Sequence, residues 1–322
     1  MKHLFIINPV AGKGKALEFI PKIEKLFSSR KNDVYFIETT ERPGHATELV
    51  RNYVSRDTYR VYSLGGDGTL NEVLNGLAGS DSSLAVIPTG SGNDFVKSLE
   101  NYSLFDIHHT SQKEVANSTL KEDLRISLLK SLVDGEERPV DIGKVNDRYF
   151  INISSMGFDA IVVHKTNTLK KLPFVTGLLA YILGVLFTLI SYGKNMVSIS
   201  IDGKTMEVNT LLIAVANGKY YGGGMQPAPS ADIYDGILDI CLIRSVGRLR
   251  ILKFFPKFIK GQHEHVKEVS LHKGREIKIT SHKKVALNID GEVSIVNGET
   301  LFQIIPGAIK IVIPKTEVRS EL

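Results

Sequence analysis

Three glycines in four positions surround a single acid in Gly65-Gly66-Asp67-Gly68-Thr69. The segment stands directly after an apolar strand, Arg60–Leu64, and before a helix, Leu70–Leu77. Glycine lets a backbone adopt positive φ and approach a ligand closely. The free N–H groups at a helix start favour an anion. A tight strand-to-helix turn needs fewer glycines, so the loop reads as a phosphate cradle. It is not a Walker A loop, because no Gly-Lys-Ser/Thr follows. The rest of the first third repeats the strand–helix unit. Leu4–Ile7, Asp33–Ile37 and Leu84–Ile87 read as strands, and Ala16–Phe27 and His45–Val54 as helices. Such alternation predicts a parallel sheet covered on both faces. Ligands of such sheets sit at the carboxyl ends of the strands. Here those ends carry Asn8–Lys15, Thr39–Thr40, Gly65–Thr69 and Thr89–Asp94.

Two further loops belong to that edge. Pro88-Thr89-Gly90-Ser91-Gly92-Asn93-Asp94-Phe95 also follows an apolar strand. It offers a hydroxyl, backbone access and a terminal carboxylate; read alone, it is equally a loop with an Asn-Asp helix cap. Asn8-Pro9-Val10-Ala11-Gly12-Lys13-Gly14-Lys15 opens the first helix and can meet phosphates, though Gly-Lys loops are common.

Beyond a helix ending near Val133 the texture changes. Short β-rich runs follow: Asp141–Val145, Tyr149–Ser154, Met196–Ile201, Thr210–Ala216, Leu238–Ile243, Glu276–Thr280, Val285–Ile289 and Leu301–Ile313. Asn146-Asp147 and Asp202-Gly203 are hairpin signals. The expected organisation is an α/β domain over 1–133 and an antiparallel β domain over 134–322, whose extreme C-terminus packs back on the first domain. No charged side chain occurs between Lys171 and Lys194. That run is long enough to be tested as a membrane span. Its glycines and hydroxyls, and the need for both halves of the chain in one site, favour a buried or membrane-surface helix over 172–192. Arg244–Lys260 holds six cations and no acid among apolar and aromatic residues. This suits an anionic membrane surface or a solvated helix packed on the β domain.

Composition removes several classes. One cysteine excludes an intrachain disulfide and a Cys-based zinc site, consistent with a reducing compartment. Cys241 reads as a buried strand residue, and His263 and His265 as loop residues. A net charge of +5 without an aromatic stacking platform argues against nucleic acid. The N-terminus leads into a Gly/Lys loop instead of a cleavage site, so it does not read as a signal peptide. No Gly-x-Gly-x-x-Gly follows the first strand, which argues against a dinucleotide oxidoreductase.

Taken together, Asn8-Pro9 with Gly12-Lys13-Gly14, then Gly65-Gly66-Asp67-Gly68-Thr69-Leu70-Asn71-Glu72, then Pro88–Phe95, resemble the diacylglycerol kinase catalytic domain. The likeness is strongest to the bacterial soluble lipid kinases of the superfamily that includes sphingosine and ceramide kinases. It continues through Val140-Asp141-Ile142-Gly143 and Tyr149-Phe150-Ile151-Asn152, and departs at Ser91, where the family has Thr. The resemblance implies an NAD kinase/phosphofructokinase-like α/β domain, then a β-sandwich, with the site in the cleft between. It implies ATP contacts at Asn8, Pro9, Val10, Ala11, Gly12, Thr40, Gly65, Gly66, Asp67, Gly68, Thr69, Leu70, Asn71, Glu72 and Ser91. Asp67 and Asp94 fall on acidic active-site positions near catalytic Mg²⁺. Glu292, in Asn288-Ile289-Asp290-Gly291-Glu292, inherits the role of proton acceptor, supported by Asp290. Spacing alone makes Asp290-Gly291 a hairpin turn. A structural Mg²⁺ is implied on the Asp235 carboxylate, with Asp232 and Ile237 by main chain.

The expected activity is ATP-dependent phosphorylation of a lipid hydroxyl, diacylglycerol foremost, by a cytoplasmic enzyme peripheral at the inner face of an anionic membrane. The oligomeric state is open, with a homodimer among the options. An NAD kinase-like enzyme and a nonenzymatic sensor on a kinase scaffold are the alternatives.

Overall fold

A computed structural model describes residues 1–90, 92–99, 118–158, 160–162, 184, 188 and 195–315. Ser91 lies outside them, as does the apolar run of 172–192 apart from Gly184 and Thr188. The chain forms two compact units, Met1–Val140 with Ala308–Leu322, and Asp141–Gly307.

The first unit is built on strands β1 (Lys2–Ile7), β2 (Val34–Thr39), β3 (Arg60–Gly65) and β4 (Ser83–Pro88). β1 pairs in parallel with β2 and β3, and β3 with β4. β3 and β4 are buried along their whole length, as apolar strands covered on both faces must be. Helices α1 (Ile20–Phe27), α2 (His45–Val54) and α3 (Asp67–Leu77) lie between them in sequence. The expected helix over Ala16–Phe27 is shorter. A 3₁₀ turn covers Leu17–Phe19, and Pro21 stands in the first turn of α1, where its missing N–H costs nothing. α2 and α3 meet at Gly76, where a Cβ would lie 2.7 Å from Val50 Cβ.

Helix α4 (Ser118–Val133) ends on a buried arginine. Arg60 donates to the carbonyls of Leu132 (3.0 Å) and Val133 (2.7 Å) and pairs with Glu137 at 3.1 Å. A cation suits the negative end of a helix. Burial opposes the Glu137 charge, but bonds from Ser83 and Arg60 overcome it and hold that carboxyl below its usual range.

Strand β5 (Glu136–Val145) runs through the division at Val140 into the second unit. There β6 (Arg148–Phe150), β7 (Ile153–Gly157), β8 (Asn195–Ile201), β9 (Lys204–Ala216), β10 (Leu238–Arg244), β11 (Val269–Gly274), β12 (Glu276–Ile289) and β13 (Glu292–Ile313) follow. The pairing is antiparallel, in the order β11-β10-β9-β7-β12-β13, with β8 between β9 and β12. Asn146 and Asp202 take positive φ at the hairpin turns their sequences predict. Alternation sends Cys241 and Ile243 to one apolar cluster and Ile240 and Leu242 to another. Helix α5 (Arg248–Ile259) packs on the first cluster.

Two expectations change here. Glu276–Thr280 and Val285–Ile289 are one strand, with a register shift between Ser281 and Val285. The Ser281 hydroxyl satisfies Lys283 N–H and C=O across that irregularity, as a bulge requires. His263 is buried, with Nε2 3.0 Å from the Pro227 carbonyl, and burial pushes its pKa down. Beyond Gly307, β13 enters the first unit, where Lys310 and Ile311 pair in parallel with Ser83 and Leu84. Among the described residues no helix is long and apolar enough to cross a membrane.

His3 is buried in β1, 2.9 Å from the Tyr62 hydroxyl, and burial pushes its imidazole down to about 4. The folded state therefore binds fewer protons than the unfolded chain between about pH 6.5 and 4. Stability is fully present above that window and falls by about 1.4 kcal/mol per pH unit within it. Urea unfolding of the first unit at pH 7 and pH 5 measures this loss, and His3→Phe should flatten it.

Candidate active site

In the first unit three loops converge at the carboxyl ends of β1, β3 and β4. Asn8, just past β1, uses its whole side chain. Its Nδ2 donates to Thr69 Oγ1 at 3.0 Å, and its Oδ1 accepts the Val10 N–H at 3.2 Å. The 8–11 turn is thereby tied to the first turn of α3. Gly12 has φ +59°, and a Cβ there would lie 2.3 Å from the Thr89 carbonyl oxygen. Thr89 and Gly90 both donate their N–H to the Gly65 carbonyl, at 3.0 and 3.1 Å. Gly90 lies against Gly66, so a Cβ on Gly90 would meet Gly66 Cα at 2.4 Å. The glycines are thus used in two ways. Gly12, Gly65 and Gly90 allow backbone to touch backbone or Thr69, while a Cβ on Gly68 would meet nothing within 4 Å. That opening stands at the N-terminal turn of α3, the electropositive end of the helix.

Asp67 locks two loops together. Its Oδ1 accepts the Asp94 N–H at 2.7 Å, and its Oδ2 lies where a Cβ on Gly92 would stand. Asp94 is buried and pairs with Lys97 at 2.7 Å. Lys97 adds a half-buried cation that the sequence reading missed, although its i, i+3 spacing from Asp94 marks it. Pro9, Val10 and Ala11 are not buried, whereas Leu70 and Asn71 are, within α3. Glu72 turns away from the loops, accepting the N–H groups of Gly44 (2.8 Å) and Ala46 (3.1 Å) at the start of α2. Thr40 donates its N–H to the Ile7 carbonyl at 2.9 Å.

In the second unit Asp290 and Gly291 form the β12–β13 turn with φ of +46° and +99°. The Asp290 carboxylate accepts three successive N–H groups, from Ile151 (2.8 Å), Asn152 (3.1 Å) and Ile153 (3.0 Å). Its oxygens are committed to holding the turn. Glu292 is 40% exposed and pairs with Arg148 at 2.6 Å. Buried Asn217 holds the neighbouring backbone by donating to the carbonyls of Asp141 and Ile151. No sequence signal joins Arg148 to Glu292, which lie 144 residues apart.

Also in the second unit, Asp235 Oδ1 accepts the Ile237 N–H at 3.1 Å, and Asp232 Oδ1 the Tyr234 N–H at 3.0 Å. The Lys273 ammonium lies 3.2 Å from Asp235 and 3.1 Å from Asp239. Burial opposes its charge, but Asp239 and Asp235 outweigh burial and hold its pKa above the ordinary lysine value. Oxygen donors suit a hard cation, and the partly exposed Asp235 carboxylate supplies one. A cation there competes with Lys273. Among the described residues no three His, Cys, Asp or Glu side chains gather as a metal cluster.

Comparison with known proteins follows this division. Residues 2–145 match the family described as diacylglycerol kinase catalytic domain. Residues 152–313 match the YegS C-terminal NAD kinase beta sandwich-like domain. The chain is 29% identical over 295 residues to the diacylglycerol kinase of Bacillus subtilis strain 168, covering 91% of this chain and 90% of that one. A crystal structure of a diacylglycerol kinase from Bacillus anthracis str. Sterne has the same fold, with TM-score 0.67, 24% identity, and coverage of 97% and 96%. An NAD kinase from Archaeoglobus fulgidus in complex with ATP shares the fold more distantly, with TM-score 0.51, 14% identity, and coverage of 98% and 94%.

The glycines separate into testable classes. Gly90→Ala forces two backbones apart and should cost about 1–3 kcal/mol. Gly68→Ala should leave stability within about 0.5 kcal/mol but weaken nucleotide binding. Chemical denaturation alongside titration with a fluorescent ATP analogue distinguishes the two; equal destabilisation would refute the distinction.

Proposed function

Because this chain belongs to the diacylglycerol kinase catalytic-domain family and is a lipid kinase, we propose that its acceptor is the free hydroxyl of diacylglycerol and its product phosphatidic acid. The observation that carries this reading is the double glycine loop, Gly65–Gly68 packed on Gly90, with Asp67 bonded to the Asp94 backbone beside the start of α3. The acceptor is supported by the name and the near full-length match of the Bacillus subtilis relative.

In this reading ATP phosphates lie on the backbone of Asn8–Gly12 and Gly65–Thr69, with Ser91 adding a hydroxyl. Thr40 and the start of α3 complete the nucleotide contacts, while the Glu72 carboxylate, expected among them, is instead spent on the start of α2. Leu70 and Asn71 act through backbone, since their side chains are buried. Asp67 and Asp94 fix the charge around the phosphates. As the lipid oxygen forms its bond to the γ-phosphorus, the bond from that phosphorus to the β–γ bridging oxygen breaks. The hydroxyl proton passes to the Glu292 carboxylate. Asp290 holds the turn on which Glu292 stands. Mg²⁺ accompanying ATP would supply positive charge against the phosphate oxygens near Asp67 and Asp94. A structural Mg²⁺ would sit on Asp235, with main-chain oxygens of Asp232 and Ile237. The acceptor is met at the inner face of an anionic membrane, with the enzyme as a peripheral protein.

The direct assay is transfer of labelled phosphate from ATP to diacylglycerol in mixed micelles, with NAD as a control acceptor. Labelled phosphatidic acid is expected. Glu292→Gln should lower kcat about 10²–10⁴-fold with an unchanged unfolding midpoint, and Asp67→Asn should abolish transfer. Label in NAD alone would overturn the acceptor. Nucleotide binding without transfer would overturn the assigned chemistry and favour a sensor.

The structural cation has its own test. Lys273→Met removes the competing ammonium, so Mg²⁺ should raise the thermal midpoint of this variant more than that of the parent chain. No Mg²⁺ effect on either protein would refute the Asp235 site.

A further inference from the structure

Helix α5 has an inner face and an outer face of different chemistry. Ile251, Phe254 and Phe258 are buried in the apolar cluster of the second unit, at the i, i+3, i+7 spacing of one helical face. On the opposite side Leu249 is 78% exposed and Leu252 42% exposed. Lys253, Pro256, Lys257 and Lys260 are exposed with them. At 100° per residue, Leu249, Leu252 and Pro256 form one shoulder of this face, and Lys253 and Lys257 the other. The fold already uses the inner side of the helix, so the two leucines contribute nothing to the core. Six cations and no acid occur from Arg244 to Lys260. Glu268, just before β11, pairs with Arg250 at 3.0 Å, while among the described residues no acid pairs with Lys253, Lys257 or Lys260.

We propose that α5 docks this kinase on an anionic phospholipid bilayer. Leu249 and Leu252 enter the boundary between headgroups and acyl chains, and Lys253, Lys257 and Lys260 lie among the lipid phosphates. Charge complementarity selects an anionic partner. The leucines select a lipid surface over a nucleic acid, which has no apolar layer for them to enter. The proposal rests on the lipid-kinase reading for its biological reason, while its chemistry stands on α5.

The test is co-sedimentation of the full chain with vesicles of phosphatidylcholine, alone or mixed with phosphatidylglycerol. Stronger binding to the mixed vesicles is expected, weakening with salt. Leu249→Ser with Leu252→Ser should weaken it about tenfold at every salt concentration. Lys253→Gln, Lys257→Gln and Lys260→Gln together should weaken it more than tenfold and remove the salt dependence. Neither set should alter transfer to short-chain diacylglycerol in detergent micelles, because none of these residues belongs to the site. Vesicle binding by both variants equal to that of the parent overturns the docking surface, as does binding driven by phosphatidylcholine alone. Absent vesicle binding with intact micellar activity overturns docking and spares the kinase reading. Vesicle binding without any micellar transfer does the reverse.

Discussion

Asp141 is a buried carboxylate whose two oxygens accept the N–H of Gly236 at 2.6 Å and of Gly307 at 2.7 Å. Its own N–H goes to the Ile233 carbonyl at 2.8 Å. These partners lie far along the chain, on the loop that carries Asp232 and Asp235 and at the point where β13 leaves the second unit. A buried N–H without a partner costs about 1–3 kcal/mol, and a carboxylate is the acceptor that can take several at once. The same device recurs. Asp67 takes the Asp94 N–H, Glu72 takes Gly44 and Ala46, and Asp290 takes three consecutive donors from β6 to β7. The irregular backbone that shapes the loops is therefore fixed by acids lying elsewhere in the sequence.

This divides the acidic residues by what their oxygens already hold. Asp290 is committed to backbone, and Glu72 likewise. Asp94 is buried against Lys97. Glu292 differs, since it pairs with an arginine side chain and both side chains are about 40% exposed, at 40% and 42%. A motif such as Asp-Gly-Glu thus contains one residue that builds the turn and one that the turn presents. Spacing marks Asp290-Gly291 as the turn, but the three N–H bonds from Ile151–Ile153 that hold it have no local signal.

What was readable in the residues is what local chemistry specifies. Apolar strands followed by glycine loops mark the βα units, because only glycine admits the contacts made by Gly12 and Gly90. Asn146-Asp147 and Asp202-Gly203 mark hairpins because few residues tolerate positive φ. The 3₁₀ turn over Leu17–Phe19 ahead of α1 and the continuity of β12 through Ser281 were not readable, since each depends on backbone bonds that periodicity does not carry. His263 reads as a loop residue by its neighbours, yet it is buried beside Phe258 and Cys241. Lys273 on Asp235 and Arg148 on Glu292 are long-range pairs with no spacing rule behind them.

The exposure of the Arg148–Glu292 pair bears on the proposed role of Glu292 as proton acceptor. A proton acceptor must be charged when the hydroxyl arrives, and it must be free to turn toward that hydroxyl. A fully buried ion pair would satisfy the first condition and fail the second, because separating it costs about 3–5 kcal/mol. A half-exposed pair contributes only about 0–1 kcal/mol, so an approaching acceptor can replace the guanidinium at little expense. Asp290 supplies the stiffness that Glu292 lacks, since three backbone bonds hold the turn while the adjacent carboxylate stays exchangeable. In the proposed reaction, rigidity in the support and looseness in the proton acceptor are thereby separated across two positions of one hairpin.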